Sequence, residues 1–299
     1  MDFKNYLVPG KTGLLIGIGG VSMSPLAEVL HDAGLDIRGS DMAESSNTLA
    51  LRERGIPIHI GHSADNVTDD ISFVIRTAAV HDDNPEVHEA HRRGIPVFER
   101  TQAWGALMRG YQNALCISGT HGKTTTTSMC THIMMAAEKD PTVMIGGTLP
   151  LLKACHRVGK GNTIIMESCE YYNSFLALNP TIAVVLNIEA DHLDFFKDLE
   201  DIKRSFRRFA ERVPAETGTV IANYDDANTM DALRGIERKV ITFGLNPKAD
   251  VYAQNIVHRG SVSEFDIYHR GNYFARVTLG SVPRARCQPE CRQVRSCRI

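Results

Sequence analysis

Residues 114–128 read Ala-Leu-Cys-Ile-Ser-Gly-Thr-His-Gly-Lys-Thr-Thr-Thr-Thr-Ser, an apolar run that breaks at Gly119 and resumes after Lys123 as a proline-free, helix-compatible stretch. A strand, a glycine turn and a helix with lysine and threonine at the junction form a phosphate-binding loop, and such a loop points to ATP. Glycine lets backbone N–H groups approach phosphate oxygens, and the helix start adds its positive end. Lys123 and the Thr124 hydroxyl would reach the terminal phosphates and magnesium from a loop made of Gly119, Thr120, His121 and Gly122. The spacing is shorter than the general Gly-x4-Gly-Lys-Thr form, because Ile117 and Ser118 stand before Gly119. The plainer alternative is a strand-to-helix connection without a ligand, and the Gly-Lys-Thr set in this context favours phosphate.

Around this loop the chain alternates apolar and amphipathic runs. Before it come Leu14–Ile18, Leu26–Leu30, Ile37–Asp41, Leu49–Arg54, Ile56–Ile60, Phe73–Thr77, Val87–Arg93 and Pro96–Phe98. That rhythm predicts parallel strands joined by crossover helices, a Rossmann-like doubly wound domain over residues 1–110. Gly34, Gly55 and Gly94 each close a helical stretch just before a strand. A second alternation begins near Asn113, with runs at Leu115–Ile117, Val143–Ile145, Thr163–Met166, Ala183–Leu186, Val220–Ala222 and Val240–Phe243. It predicts a central P-loop ATPase-like α/β domain over 111–280. Strands Val251–Ile256, Glu264–His269 and Tyr273–Leu279 form its small β-rich end, with Gly271-Asn272 as the last hairpin turn.

Composition narrows the function. At 299 residues the length suits about two domains. The formal net charge of −2 offers no basic field for nucleic acid or anionic lipid, so small-molecule substrates are expected, with no nucleic acid or membrane partner. Asp2, Lys4, Asn5 and Lys11 interrupt any N-terminal signal or apolar span, which predicts a cytoplasmic chain. Cys116, Cys130, Cys155 and Cys169 are scattered as reduced thiols would be. The stretch 281–299 differs in kind, with five arginines and three of the chain's seven cysteines. Cys287, Cys291 and Cys297 match no familiar zinc spacing, and a disordered tail outside the selected fold is the expectation. Oligomeric state is not legible.

Two further constellations carry chemistry. Gly17-Ile-Gly19-Gly20-Val-Ser22 follows the first strand and opens a helix with Pro25 in its first turn, and Asp41 ends the second strand. In a dinucleotide-binding fold that carboxylate would meet a ribose hydroxyl, so a nicotinamide oxidoreductase is one reading. Ser22 in place of the third glycine weakens it, and a purely structural turn is the alternative. Downstream, Met166-Glu-Ser-Cys-Glu170 and Asn187-Ile-Glu-Ala-Asp-His192-Leu-Asp194 each follow an apolar strand. Ligands gather at strand carboxyl ends in open α/β sheets, so these groups can meet Lys123 and serve magnesium or phosphate. Taken singly, Glu170 reads as a helix-entry carboxylate and His192 as a hydrogen-bonding group.

Several motifs in order resemble the Mur ligase family, and within it the UDP-N-acetylmuramate–L-alanine ligases. They are Gly17-Ile-Gly-Gly20, Gly61-His-Ser-Ala-Asp-Asn66, Asp83-Asn-Pro-Glu86, Gly119-Thr-His-Gly-Lys-Thr-Thr125, Glu167-Ser-Cys-Glu170 and Asn187-Ile-Glu-Ala-Asp-His192, within residues 10–280. The resemblance implies a domain that binds UDP-N-acetylmuramate followed by an ATPase domain. It implies ATP-dependent joining of L-alanine through an acyl phosphate in cytoplasmic peptidoglycan synthesis, and so a part in cell-wall growth, cell shape and division. By resemblance, Lys123, Glu170 and His192 are catalytic, and Gly119–Thr125 bind ATP. Thr124, Glu170 and His192 would hold Mg2+, while Gly17, Gly19, Gly20, Ser22 and Asp41 would face the UDP-sugar. The family would continue beyond Leu279-Gly280 with a Gly-x-His-Asn-type segment and a C-terminal domain, both missing here. The expectation is therefore weak or absent ligation by this chain alone, with UDP-sugar binding retained. The competing readings are a non-catalytic UDP-sugar-binding fragment and a muropeptide ligase that attaches a preformed peptide.

Overall fold

The computed structural model describes residues 2–77 and 79–280; the arginine- and cysteine-rich stretch 281–299 lies outside the described residues, as do its three cysteines. The chain divides into two compact units, Met1–Gly110 and the residues from Tyr111 onward.

In the first unit, β1 (Thr12–Ile16), β2 (Asp36–Asp41), β3 (Ile58–Ile60), β4 (Ile71–Arg76) and β5 (Val97–Glu99) form a sheet in the order β3-β2-β1-β4-β5. Every pairing in it is parallel. All five residues of β1 are buried, as a central strand covered on both faces requires. The crossover helices are α1 (Ser24–Asp32), α2 (Ser46–Glu53) and α3 (Pro85–Arg92), with α4 (Arg100–Met108) closing the unit. Asn84 caps α3 by accepting from the N–H groups of Glu86 and Val87, and Pro85 occupies the first turn, where its missing N–H costs nothing. Gly34, Gly55 and Gly94 follow α1, α2 and α3 at φ 87°, 85° and 68°, the left-handed helix ends read from the sequence. Leu14, Ile16, Val74, Val87 and Ala90 are core residues, and full burial of each larger side chain contributes about 2 kcal/mol. The chain leaves β1 toward one edge and returns through β4 on its other side. That reversal opens a crevice at the carboxyl ends of β1 and β4, where the Gly17 turn sits.

The second unit is built on a ten-stranded mixed sheet. Its strands are β6 (Asn113–Ser118), β7 (Thr142–Leu149), β8 (Ala154–Arg157), β9 (Thr163–Glu167), β10 (Ile182–Val185), β11 (Thr219–Asn223), β12 (Lys239–Gly244), β13 (Val251–Arg259), β14 (Val262–His269) and β15 (Asn272–Leu279). They lie in the order β15-β14-β13-β12-β11-β10-β6-β9-β7-β8. The strands from β12 to β7 pair in parallel around β6, while β8, β14 and β15 are antiparallel additions. β6 lies between β9 and β10, so the chain crosses over it on the way from one to the other. The loop after β6 therefore stands at a switch point of the sheet.

Helix α5 (Lys123–Ala136) follows that loop, and α6 (Leu199–Ala210) and α7 (Ala227–Ala232) cover neighbouring strands. On α6 the buried Ile202, Phe206 and Phe209 share one face at helical spacing, and Phe175 stacks on Phe209 at 4.5 Å and 3°. Asp198 caps the helix by accepting from the Asp201 N–H at 2.8 Å. Two local readings change. β8 was not anticipated, and the last hairpin turns at Arg270-Gly271 rather than Gly271-Asn272, because Asn272 already pairs with His269. Arg270 and Gly271 both have positive φ, 49° and 81°, as the twist-matched two-residue turn demands. Among the described residues no helix is long and apolar enough to cross a membrane.

Candidate active site

The carboxyl end of β6 leads into the loop Gly119–Gly122 and the helix that starts at Lys123. Gly119 sits at φ 143°, and a Cβ there would fall 2.9 Å from the Leu186 Cβ and 3.2 Å from the Asn187 N. Only glycine lets the loop pass this close to the segment after β10. Asn187 then braces the loop's first half. Its backbone O accepts from Thr120 N at 3.0 Å, its side-chain Oδ1 from His121 N at 2.8 Å, and its Nδ2 donates to His121 O at 3.1 Å. The Thr120 hydroxyl accepts from Glu189 N at 2.9 Å, and His121 Nε2 lies 3.3 Å from Glu189 Oε2. Gly122, at φ 82°, turns the chain into α5, and the first helical bond runs from Thr126 N to Gly122 O at 3.0 Å. The N–H groups of residues 122–125 precede that bond and have no acceptor among the described residues. This is the exposed donor set an anion needs at a helix start.

Lys123 folds across the loop. Its Nζ donates to Gly119 O at 2.6 Å, Thr120 O at 3.1 Å and Glu170 Oε2 at 3.0 Å. Glu170, just beyond β9, is buried, with its side chain 3% exposed, and the ammonium is its ion-pair partner. The Thr124 hydroxyl donates to Glu167 Oε1 at 2.9 Å, and Glu167 Oε2 accepts from Gly146 N at 2.6 Å. Glu167, the last residue of β9, belongs to the strand-end segment whose polar groups the sequence places within reach of Lys123. Only its position opposite α5 and β7 reveals the contact. Thr125 is exposed at the start of α5.

His192 lies in the segment after β10, at φ 52°, with Nε2 3.8 Å from Glu170 Oε1 and 4.0 Å from Asp191 Oδ2. Its ring stacks on Tyr171 at 4.4 Å and 27°. The Tyr171 hydroxyl donates to Asp194 Oδ2 at 2.5 Å; this bond raises the phenol's pKa and lowers that of the carboxyl. The structure thus gathers Lys123, Thr124, Glu170 and His192 at one edge, with Glu167 added. Burial pushes the Cys116 thiol of β6 up to about 12, which keeps it a packing group. Cys116, Cys130, Cys155 and Cys169 are free thiols. No three His, Cys, Asp or Glu side chains converge as a metal cage among the described residues. A magnesium ion that keeps waters and phosphate oxygens needs only one or two carboxylates, so Glu167, Glu170 and the Thr124 hydroxyl fit it.

In the first unit Gly17, at φ 77°, begins the turn after β1, and Gly17 and Ile18 both donate to Ser40 O, at 2.9 and 3.0 Å. Asp41 Oδ2 accepts from Gly19 N at 2.8 Å, and Asn47 Nδ2 donates to Gly19 O at 2.7 Å. Gly20 N closes the turn on Gly17 O at 3.1 Å. Ser22 Oγ accepts from Arg100 Nη1, and Ser22 O accepts from Trp104 Nε1 at 3.3 Å. All five sequence-read residues lie at this turn, and Asp41 holds it directly. Next to it, the fully buried Glu86 joins two of the motifs quoted from the sequence. Its Oε1 accepts from Asn66 Nδ2 at 2.6 Å, and its Oε2 accepts from the Ser40 hydroxyl at 2.8 Å and lies 2.7 Å from His62 Nδ1.

These features define an α/β protein with a glycine-lysine-threonine loop between strand and helix in its second unit and a glycine turn after the first strand of a parallel sheet in its first. The Mur ligase middle domain matches residues 117–281, and the Mur ligase catalytic domain matches residues 15–112. The chain belongs to the Mur ligase family. It is 45% identical over 256 residues to the UDP-N-acetylmuramate–L-alanine ligase of Caldicellulosiruptor saccharolyticus, covering 86% of this chain and 56% of that protein. It is 44% identical over 279 residues to the protein of the same name from Clostridium novyi, covering 93% and 60%. Among solved structures, the UDP-N-acetylmuramate–alanine ligase of Thermotoga maritima superposes with a TM-score of 0.73 at 28% identity, covering 90% of this chain and 60% of that one. The chain thus spans a little over half the length of the curated relatives it matches.

Proposed function

We propose that this protein acts in the ATP-dependent joining of L-alanine to the carboxylate of UDP-N-acetylmuramate, a step of peptidoglycan precursor synthesis in the cytoplasm. The observation that carries this reading is Lys123, poised between its own loop carbonyls and the buried Glu170, beside the free N–H groups of residues 122–125. The names of the relatives supply the substrate pair.

ATP is the co-substrate, and the loop from Gly119 to Thr125 is its phosphate cradle. Lys123 exchanges its two loop carbonyls for phosphate oxygens, which are better partners for an ammonium ion. Magnesium, when bound, would neutralise charge on the phosphates, and Thr124, Glu167, Glu170 and His192 would hold it or its waters. The sugar carboxylate attacks the γ-phosphorus, breaking the bond to ADP and giving an acyl phosphate. The amine of L-alanine then attacks the carbonyl carbon, loses a proton, and expels inorganic phosphate. The chain's contribution is positioning and charge stabilisation of the transferring phosphoryl group. Gly17, Gly19, Gly20, Ser22 and Asp41 are assigned to the UDP-sugar, with Asp41 keeping the turn open by holding Gly19 N.

The test uses UDP-N-acetylmuramate carrying 18O in its carboxylate, with ATP, magnesium and radiolabelled L-alanine. One carboxylate oxygen passes to inorganic phosphate in this chemistry, so whatever amide this chain forms, at the weak level expected of it alone, appears together with labelled phosphate. Amide formation with a preformed peptide but not with L-alanine would replace the reading by the muropeptide ligase. Sugar binding without any oxygen transfer would leave only a binding module.

A further inference from the structure

Tyr171 makes three contacts that cross from the segment after β9 to the segment after β10, one of them ring to ring with Phe195 at 6.1 Å. Its ring lies on the His192 imidazole at 4.4 Å, and its hydroxyl donates to Asp194 Oδ2 at 2.5 Å. Its chain neighbour Glu170 approaches the same imidazole at the edge, with Oε1 3.8 Å from Nε2. Two consecutive residues therefore meet one histidine by face and by edge. The backbone around them is strained. His192, Tyr172 and Asn173 have φ 52°, 52° and 56°, a region that costs a non-glycine residue roughly 1 kcal/mol or more. Such strain persists only where surrounding contacts over-determine it. Asn173 Oδ1 accepts from the Ser205 hydroxyl of α6, and the Tyr172 ring packs on Phe195 at 4.9 Å. Buried Phe175 and Phe196 anchor the two segments in the core. Between these anchors, the Tyr171 hydroxyl is a hydrogen-bonded strap from one segment to the other.

We propose that Tyr171 is a positioning residue that fixes the His192 imidazole against Glu170 and so sets the spacing of the groups that hold the divalent cation. The cation half of this statement rests on the ligase reading above; the positioning half rests on the contacts alone. A stacked ring with two rotatable bonds is stiff, and the Asp194 bond removes its remaining swing. Outer partners of metal-holding histidines act in this way, and their loss weakens metal binding by about 10-fold or more.

The experiment follows the His192 ring proton resonances in the chain without metal, assigned by their loss in His192→Gln. Stacking on Tyr171 shifts them upfield. Tyr171→Phe and Asp194→Ala each break the strap, one by removing the donor and the other the acceptor, and each is expected to relax the shift, with the double variant no further displaced than either single one. In parallel, Mn2+ affinity is read by electron paramagnetic resonance with a non-hydrolysable ATP analogue. Tyr171→Phe is expected to weaken it about 10-fold, and Tyr171→Leu to approach His192→Ala. A ring resonance unmoved in both Tyr171→Phe and Asp194→Ala overturns the positioning role. Mn2+ affinity unchanged in His192→Ala overturns the cation half and the metal reading beneath it, while the ring resonance still decides the positioning half. A Tyr171→Phe variant with relaxed resonance but unchanged Mn2+ affinity overturns the spacing claim when His192→Ala does weaken binding.

Discussion

Lys123 and Glu170 form an ion pair of 3.0 Å in which the carboxylate is almost wholly buried. A lysine from the start of α5 and a glutamate beyond β9 are held together by the adjacency of β6 and β9, forty-seven residues apart in the chain. Removing one partner strands the other. Lys123→Ala is expected to lower unfolding free energy by about 3 kcal/mol, and adding Glu170→Gln to recover much of it. Urea unfolding of the two single variants and the double variant checks this; strictly additive losses would mean the pair is not coupled.

Gly119→Ala tests the loop's close approach. The new Cβ would lie 2.9 Å from the Leu186 Cβ in a φ region that alanine avoids. The loop must shift, and ATP affinity is expected to fall at least about 10-fold with about 1–3 kcal/mol of strain. Gly55→Ala is the control: its φ is 85°, yet no atom lies within 4 Å, so it should cost about 1 kcal/mol and leave ATP binding alone. Calorimetric titration with ATP distinguishes the two.

Glu86→Ala removes the acceptor shared by Ser40, His62 and Asn66. These donors then lie in or beside the core of the first unit without their partner, at a cost of about 3 kcal/mol. Hydrogen exchange of β2 amides should accelerate correspondingly. Unchanged protection would show that the network contributes nothing to that unit.

Acid stability should carry the signature of Glu89. Hydrogen bonds from Arg92 and Arg93 lower its pKa from 4.5 to about 2. The carboxylate binds its proton less readily folded than unfolded. Its contribution is therefore present above pH 4.5 and is lost as pH falls through that value toward 2. The urea midpoint of the native protein should decline across that window, and Glu89→Gln should decline less. Parallel curves for the two proteins would remove Glu89 from the account.

The parts legible in sequence were those with local chemistry. Gly119 and Gly122 both precede Lys123 at positive φ, and a Gly-Lys-Thr set after an apolar strand shows such a turn directly. Gly34, Gly55 and Gly94 marked helix ends for the same reason. The illegible parts depend on distant partners. β8 has no apolar alternation over Ala154–Arg157 and exists by pairing with the edge of β7. Arg270 occupies a left-handed position usually given to glycine or asparagine, which displaced the expected turn by one residue. Glu167 gains meaning only through Thr124 and Gly146, and Asn187 only through the backbone of Thr120 and His121.

The central claim is that the loop from Gly119 to Thr125 binds ATP through Lys123. Isothermal titration of ATP with magnesium into the native chain and into Lys123→Ala tests it most directly, with circular dichroism confirming that both are folded. The account predicts one site on the native chain and a loss of roughly 100-fold or more in the variant, as charge-assisted phosphate contacts would give. Equal affinity in both proteins, or no binding to the native chain, would contradict it.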